Sequence, residues 1–437
     1  MMLRRRSILA GLMGLATMRK AQAQVRGKSV AVIGAGMAGL AAAGALSQAG
    51  AQVTVYEARA RIGGRVWTSA AWPDLPCDLG ASWIHGPKGN PLTALARDAG
   101  ADMVKTSYDS AAAFEAGEEV DTNADPWDLA EKASKAARKA PADMSLKDAL
   151  ALVQGQSPKL RSAVHLAIEH EFGGDWGQLS ARYFDLGEEF DGQDVLFPAG
   201  YSQLADFAAR GQAVRLNTEV TKITARAKGV EIGFLGGSSA QHDAVICTLP
   251  LGVLQSGGVV FSPALAPARM AAIAGLGMGL LNKAFLRFDH MPQTPSVDWL
   301  EKLDAPAQLF PEWVNLPHVL GAPAMLGFNA AASADDVEGW DDGATIAAAT
   351  DALRAMFGSD FPRPIAAQIT RWRADRFALG SYSFHKTGAA PTARSDLGGA
   401  DWDGRLVFAG EACSSDHPST VHGAWISGLD AAEALRP

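Results

Sequence analysis

Ser29-Val30-Ala31-Val32-Ile33-Gly34-Ala35-Gly36-Met37-Ala38-Gly39 is the stretch on which the fold turns. From Lys28 to Ile33 it reads as a buried strand, and the glycines begin at once. An alanine-rich helix then runs to about Gln48 and is stopped by Gly50. Gln52-Val53-Thr54-Val55-Tyr56 reads as the next strand, ending in Glu57. In this register Gly34 allows a tight turn, Gly36 lets backbone approach a pyrophosphate, and Gly39 lets helix and strand pack closely. The helix N-terminus offers free N–H groups and a positive dipole end to phosphates. Glu57 follows Gly39 by 18 residues, where an acid accepts ribose hydroxyls. The reading is an α/β, Rossmann-type unit that binds a dinucleotide.

Working outward, Glu57-Ala58-Arg59-Ala60-Arg61-Ile62-Gly63-Gly64-Arg65 extends the acid into a basic loop with paired glycines. A nicotinamide site does not need this loop. A flavin site does, because a second loop closes over the pyrophosphate. Arg65 can neutralise the phosphates, and Gly63 and Gly64 permit close approach.

The rest of the composition sets bounds. A chain of 437 residues, 48% hydrophobic and 20% charged, has length for two or three domains and a large core. Disorder and a small disulfide scaffold are excluded. Cys77, Cys247 and Cys413 are far apart and show no Cys-x-x-Cys spacing, so no metal site is expected. The net charge of −8 argues against nucleic acid and tolerates cationic ligands.

Arg4-Arg5-Arg6-Ser7-Ile8-Leu9 opens a basic segment, followed by a short apolar stretch to Met18, Arg19-Lys20 and Ala21-Gln22-Ala23. This is the pattern of a secretory signal over residues 1–23, with the mature chain starting near Gln24. The arginine pair resembles a twin-arginine signal, which implies the twin-arginine export machinery and a periplasmic or secreted protein. The apolar stretch is too short to span a bilayer, so no stable membrane insertion is expected after cleavage. Removing residues 1–23, which hold five basic residues and no acid, takes the net charge to −13.

Further motifs lie along the chain in a fixed order. They are Cys77-Asp78-Leu79-Gly80-Ala81-Ser82-Trp83-Ile84-His85-Gly86, Leu249-Pro250-Leu251-Gly252-Val253-Leu254, Asn282-Lys283, Phe408-Ala409-Gly410-Glu411 and Ser419-Thr420-Val421-His422-Gly423-Ala424-Trp425. With the glycine fingerprint and residues 57–65, they make the chain resemble the FAD-dependent flavin monoamine oxidase family over nearly its whole length. Residues 80–91 and 250–261 look most like polyamine oxidases, more than monoamine oxidases or histone lysine demethylases.

The resemblance implies a discontinuous arrangement: an FAD-binding domain of 28–86, 196–288 and 386–437, and an α+β substrate-binding domain of 87–195 and 289–385. Residues 215–223 read as a strand returning to the first sheet. Residues 244–249 read as another buried strand, and 128–140 and 145–152 as helices. The role of the small, apolar stretch 322–334 is open.

By motif and resemblance together, Gly34, Gly36, Gly39, Glu57, Arg59, Gly64, Arg65, Ala81, Ser82, Trp83, Val220, Trp372, Glu411, Thr420 and Val421 contact FAD. Lys283 lies in the apolar stretch Leu280-Leu281-Asn282-Lys283-Ala284-Phe285, where a lysine is costly unless functional or snorkelling. Pattern alone leaves open an edge-facing lysine; in the family this residue holds a water at flavin N5 and is catalytic. His85 reads either as a structural histidine or, by resemblance, as a catalytic and substrate-binding group whose neutral imidazole accepts the amine N–H. Tyr382 and Thr420 line the substrate pocket by resemblance.

Two departures from the family are visible. Ser381 stands where monoamine oxidases place the cysteine that attaches FAD, so noncovalent FAD is expected. Thr420 stands where several members place tyrosine, leaving the aromatic cage half open. The implied reaction is hydride transfer from a polyamine or other primary or secondary amine to flavin N5, giving an imine, then an aldehyde, and hydrogen peroxide from O2. Glu188, Glu189 and Asp191 could steer a polyamine or be solvated charges. One alternative is an L-amino-acid oxidase, which needs an arginine clamp that the sequence does not locate. A noncatalytic relative of the GDP dissociation inhibitors is opposed by Glu57, Arg65 and Glu411.

Overall fold

The computed structural model describes residues 25–121, 126–154, 157–303 and 309–435. The leader read over 1–23, and Gln24, lie outside the described residues.

Strand Ser29–Ile33 is the centre of a six-stranded sheet. Its parallel neighbours are Gln52–Tyr56 and Ala244–Cys247, with Ile33 opposite both Tyr56 and Cys247. Val214–Arg215 extends one side of the sheet, and Leu406–Phe408 the other, both in parallel. Gly399–Asp401 closes the edge antiparallel. Both faces are covered, so Val30, Ala31, Val32 and Ile33 are all apolar and buried, as buried parallel strands require. Val30 and Val32 pack with helices Met37–Gln48 and Val421–Ala434, while Ala31 and Ile33 enter the core on the opposite face. The C-terminal ends of four parallel strands therefore deliver Gly34, Glu57, Thr248 and Gly410 to one crevice, the ordinary ligand position in an open α/β sheet.

The stretch 215–223 is divided rather than continuous. Val214–Arg215 joins the first sheet, Asn217 turns the chain at φ +52°, and Val220–Ala225 enters a separate four-stranded sheet. The left-handed turn at Asn217, a residue that tolerates it, is the reason one strand becomes two.

A seven-stranded sheet forms the second layer. Its order is Ala366–Ile369, Leu281–Arg287, Ala324–Ala330, Glu312–Val314, Trp299–Lys302, Ala111–Glu115, Glu118–Val120. All pairs are antiparallel except Trp299–Lys302 with Ala111–Glu115. Leu281–Arg287 thus hydrogen-bonds on both sides to strands from the 289–385 segment. The apolar stretch 322–334 supplies Ala324–Ala330, buried at every residue, and the start of helix Ala331–Glu338. Period-2 alternation divides the sheet's faces. Ala284, Leu286, Trp313 and Met325 pack on helix Asp342–Phe357, whereas Lys283, Phe328 and Glu312 face the crevice side.

Helices Pro126–Ala137, Leu146–Val153 and Pro158–Val164 cover the far side. Ser145 and Ser157 cap the last two through hydrogen bonds from Asp148 N and Leu160 N. One turn of π-helix, His165–Glu169, follows and leads into His170–Phe172 at the crevice. No described helix is long and apolar enough to cross a membrane.

Candidate active site

A cavity of about 1310 Å³ runs from the glycine turn of the first sheet to the face of the second. At its first end, Gly34 sits at φ +103°, and a Cβ on Gly39 would lie 2.0 Å from the Gly34 carbonyl. Only glycine fits there, so the helix starts hard against the strand end with its N–H groups facing the cavity. Glu57 is buried at the end of the second strand. Its Oε2 accepts from Ala35 N and its Oε1 from Arg59 N, both at 2.8 Å. The carboxylate is thereby aimed at the space beside the turn.

The basic loop is more occupied than its sequence suggests. Arg59 makes a two-pronged ion pair with Asp375, both contacts at 2.7 Å. Nη1 of Arg65 donates to Glu411 Oε1 and to the Ser381 carbonyl, both at 2.9 Å. Glu411 is buried and also accepts from Ser383 Oγ at 2.6 Å. Burial alone would raise its carboxyl, but Arg65 and Arg394 hold it below the ordinary glutamate value. Gly36, Gly64, Val220, Arg59 and Arg65 all line the cavity. The N–H groups at the glycine turn and at the cavity-facing start of a second helix at Thr420-Val421, with an acceptor carboxylate at the second strand end, fit a dinucleotide.

Lys283 lies on the opposite wall, buried, with its ammonium over the Trp83 and Phe328 rings at 5.6 and 5.9 Å. Nζ donates to Gly80 O at 2.6 Å, Asp78 O at 2.9 Å and Ser82 Oγ at 2.6 Å. All three ammonium protons are therefore used. To hold a water the ammonium must exchange one partner, and Ser82 is the only side chain among them. Burial pulls the Lys283 pKa down and pushes that of Asp78 up, and their opposite charges oppose both shifts. Ala81, Ser82 and Trp83 line the cavity beside this lysine.

His85 has half of its side-chain surface open, and it lines the same cavity. Its Nδ1 meets Asp194 Oδ2 at 2.6 Å, and Asp194 Oδ1 accepts from Gly86 N at 3.0 Å. Burial disfavours the imidazolium, but the Asp194 hydrogen bond and charge outweigh it and raise the pKa. Asp194 leaves Nε2 as the nitrogen available to a ligand, and it is a site residue that motif reading missed.

Trp372 is buried with Nε1 donating to Leu79 O at 3.0 Å. The Tyr382 ring lines the cavity, and its hydroxyl donates to His170 O at 2.6 Å. Thr420 also lines the cavity, but its hydroxyl caps helix Val421–Ala434. It accepts from Gly423 N and donates to His417 O, both at 2.9 Å. The hydroxyl of Ser381 exchanges hydrogen bonds with Leu281, accepting from N at 2.9 Å and donating to O at 2.8 Å.

Of the three acids singled out for steering, Glu188 and Glu189 line the cavity. Asp191 is exposed and pairs with Lys88 at 2.9 Å. Glu171, Glu301, Glu312 and Tyr108 also line it and carry no motif. Burial raises the pKa of Glu171. His170, whose pKa burial lowers to about 4, bonds Glu312 Oε2 through Nδ1 at 2.7 Å. Tyr108 stacks on Trp299 at 4.5 Å, and Trp299 on Trp83 at 5.5 Å, giving one wall an aromatic surface.

Comparison with known proteins follows the same lines. The family model of flavin-containing amine oxidoreductases matches residues 37–436. Polyamine oxidase 2 of Arabidopsis thaliana is 33% identical over 94% of this chain and 89% of its own. Polyamine oxidase 4 of Oryza sativa subsp. japonica is 33% identical over 93% and 88%. A homologue of lysine-specific histone demethylase 1 from Oryza sativa subsp. indica is 32% identical over 92% of this chain but only 53% of its own, so identity alone does not separate the two groups. Among solved structures, a double mutant of putrescine oxidase made in a redesign of cofactor binding superposes with a TM-score of 0.76. It covers 94% of this chain and 99% of its own at 19% identity, which shows the shared fold. With the glycine turn, Glu57, Lys283 and Glu411 gathered around one cavity, and with this family match over nearly the whole chain, the protein belongs to the flavin-containing amine oxidoreductases and is a polyamine-oxidase-like FAD amine oxidase.

Proposed function

We propose that this enzyme is exported and oxidises a polyamine or a related primary or secondary amine, with noncovalent FAD and O2 as electron acceptor. The observation that carries the reading is the composition of the cavity beyond the flavin cradle. Among the described residues Glu115, Asp121, Glu171, Glu188, Glu189 and Glu301 line it against Lys159 and Lys283 as the only lysines, so it favours cations. Arg59, Arg65, Arg376 and Arg394 are the arginines on its described walls, and each is engaged by a carboxylate or a hydroxyl. Among the described residues no guanidinium on these walls is without such a partner to clamp an amino-acid carboxylate, which disfavours an amino-acid oxidase.

FAD, which Gly34, Gly36, Glu57, Arg65 and Glu411 would hold, would supply a hydride acceptor for the carbon beside nitrogen and a donor of the electron pair to O2. The chain's own residues do the rest. A reacting amine must be neutral; desolvation inside the cavity favours that form, while the acids and the faces of Trp83 and Trp299 attract the arriving cation. His85, held through Nδ1 by Asp194, presents Nε2 to the amine N–H in its neutral form, which the Asp194 charge opposes by raising the imidazole pKa. Lys283, on exchanging Ser82 for a water, orients that water toward the reacting centre. The imine leaves carbon at the aldehyde level after hydrolysis. Export rests on residues 1–23, whose arginine pair, apolar stretch and Ala-Gln-Ala site are those of a twin-arginine leader.

Peroxide release across polyamines, monoamines and amino acids tests the reading. Turnover of polyamines or simple amines with stoichiometric peroxide is expected. Turnover confined to amino acids would overturn it.

A further inference from the structure

Lys283 and Trp372 grip the 78–82 loop from two directions. Lys283 Nζ donates to the carbonyls of Asp78 and Gly80, and Trp372 Nε1 to that of Leu79 between them. Both residues line the cavity. Strand Leu281–Arg287 supplies the lysine, and the segment after edge strand Ala366–Ile369 supplies the tryptophan. Where these two strands part, the pairing changes. Thr370 N donates to Lys283 O at 3.0 Å, but Lys283 N donates to Thr370 Oγ1 at 2.8 Å. A regular hydrogen-bonded antiparallel pair exchanges both bonds through the main chain. Here the threonine side chain takes the second bond, and the chain leaves the sheet toward Trp372, Ser381 and Tyr382 on the cavity wall.

A line of hydrogen bonds behind the wall fixes this departure. Asn282 is 4% exposed, and strand alternation turns its side chain to the face opposite that of Lys283. Its Oδ1 accepts from Thr370 Oγ1 and from Trp372 N, both at 3.1 Å. Its Nδ2 donates to Glu338 Oε2, and Glu338 Oε1 accepts from Ala374 N at 2.8 Å. One polarity satisfies every group. The main-chain nitrogens of Trp372 and Ala374 can only donate, so Oδ1 of Asn282 must face Trp372, and an acceptor must meet both Nδ2 and Ala374 N. A carboxylate is that acceptor. Glu338 ends helix Ala331–Glu338, whose Ala334 packs with Trp372, Leu280 and Ala378. Apolar packing holds helix and segment together without fixing their register; the directional bonds lock the main chains of Lys283 and Trp372 to each other.

We propose that Asn282 and Glu338 are positioning residues, which set Lys283 against Trp372 and thereby control the rate of the half-reaction that needs the lysine. Neither side chain lines the cavity. The proposal rests on the reading of Lys283 as a group that acts in amine oxidation.

The test exchanges donor and acceptor along one bond. Glu338→Gln sets a donor against a donor, at Asn282 Nδ2 or at Ala374 N, whichever way its amide turns. Asn282→Asp sets carboxylate against carboxylate. The double variant restores the match: the new carboxylate accepts from Thr370, Trp372 and the new amide, whose oxygen accepts from Ala374 N. Stopped flow of the holoenzyme with spermidine and with an n-alkylamine gives flavin reduction and reoxidation rates per bound flavin. Lys283→Met first identifies the half-reaction that needs the lysine. Each single variant should slow that half-reaction roughly 10–100-fold, the effect of an ångström-scale misplacement. The double variant should return to within about threefold of the parent. Melting temperature and flavin content are measured on the same samples. Single variants that melt lower or lose flavin but keep the parent rate per bound flavin overturn the proposal, because anchoring alone gives that result. A double variant as slow as the single ones also overturns it. If the variants at 282 do not fold, Glu338→Gln, at the half-buried end of the line, decides by its rate. Slowing by Lys283→Met without slowing by Glu338→Gln fells the proposal alone. If Lys283→Met slows neither half-reaction, or neither amine reduces the parent flavin, the underlying reading fails and the proposal with it.

Discussion

Lys283 is a cation set beside the rings of Trp83 and Phe328, and its three protons tie down the 78–82 loop. Lys283→Met keeps the apolar stem and removes the donors. If the ammonium acts in the reaction, the rate of flavin reduction, reoxidation or both should fall about 10²–10³-fold, roughly 2.7–4 kcal/mol, the loss typical of one ordered catalytic donor. Stopped flow per bound flavin measures this; rates within about threefold of the parent, under about 1 kcal/mol, would leave Lys283 as a loop anchor only. Ser381 supports a second expectation. Its hydroxyl is bonded both ways to Leu281 and offers no sulfur for a flavin bond, so acid precipitation should release intact FAD into the supernatant. Colour retained by the pellet would count against noncovalent binding. Lys283 and Glu57 were legible in the sequence because each breaks a local pattern, a charge inside or at the end of an apolar strand. Asp194 and Glu312 break none, and their partners His85 and His170 lie more than a hundred residues away.

At the scale of elements, helix Val421–Ala434 begins at the cavity and owes its first turn to Thr420. Thr420→Ala should cost about 1 kcal/mol of stability, and Thr420→Ser much less, because serine restores the cap. Thermal melting of the holoenzyme separates the two; equal losses would place the importance of Thr420 in its methyl group. The strands carrying Glu301 and Glu312 support a pH expectation. The folded value of Glu312, about 8, lies above its ordinary value of 4.5. The folded state therefore holds a proton that the unfolded state has released. This contribution to stability is complete below about pH 4.5 and is lost as pH rises toward 8. Glu312→Gln lacks the term, so its melting temperature relative to the parent should climb between pH 5 and 8. Parallel profiles would show that Glu312 does not titrate in that window. The βαβ start was legible because its spacing is local. The division of 215–223 was not, since it depends on one left-handed residue, Asn217.

For the whole molecule, the proposed export would rest on residues 1–23. The mature N-terminus should lie near Gln24, and Arg5→Lys with Arg6→Lys should abolish translocation of the folded protein. N-terminal sequencing and fractionation measure both, and normal delivery of that double variant would exclude the twin-arginine route. The sequence by itself determined the dinucleotide turn, the acid at the end of the second strand and the order of motifs. Each of these is a matter of spacing along the chain, where glycine conformations and strand lengths act over a few residues. Only the tertiary structure decided which side chains share the cavity. Lys283, Phe328, Glu312 and Glu301 come from four strands, and their common face is set by register. A slip of one residue in any pairing would turn that strand's contribution to the opposite side. Register is fixed by the packing of Ala284, Leu286, Trp313 and Met325 on helix Asp342–Phe357. That packing is a property of the assembled sheet, and no single segment contains it.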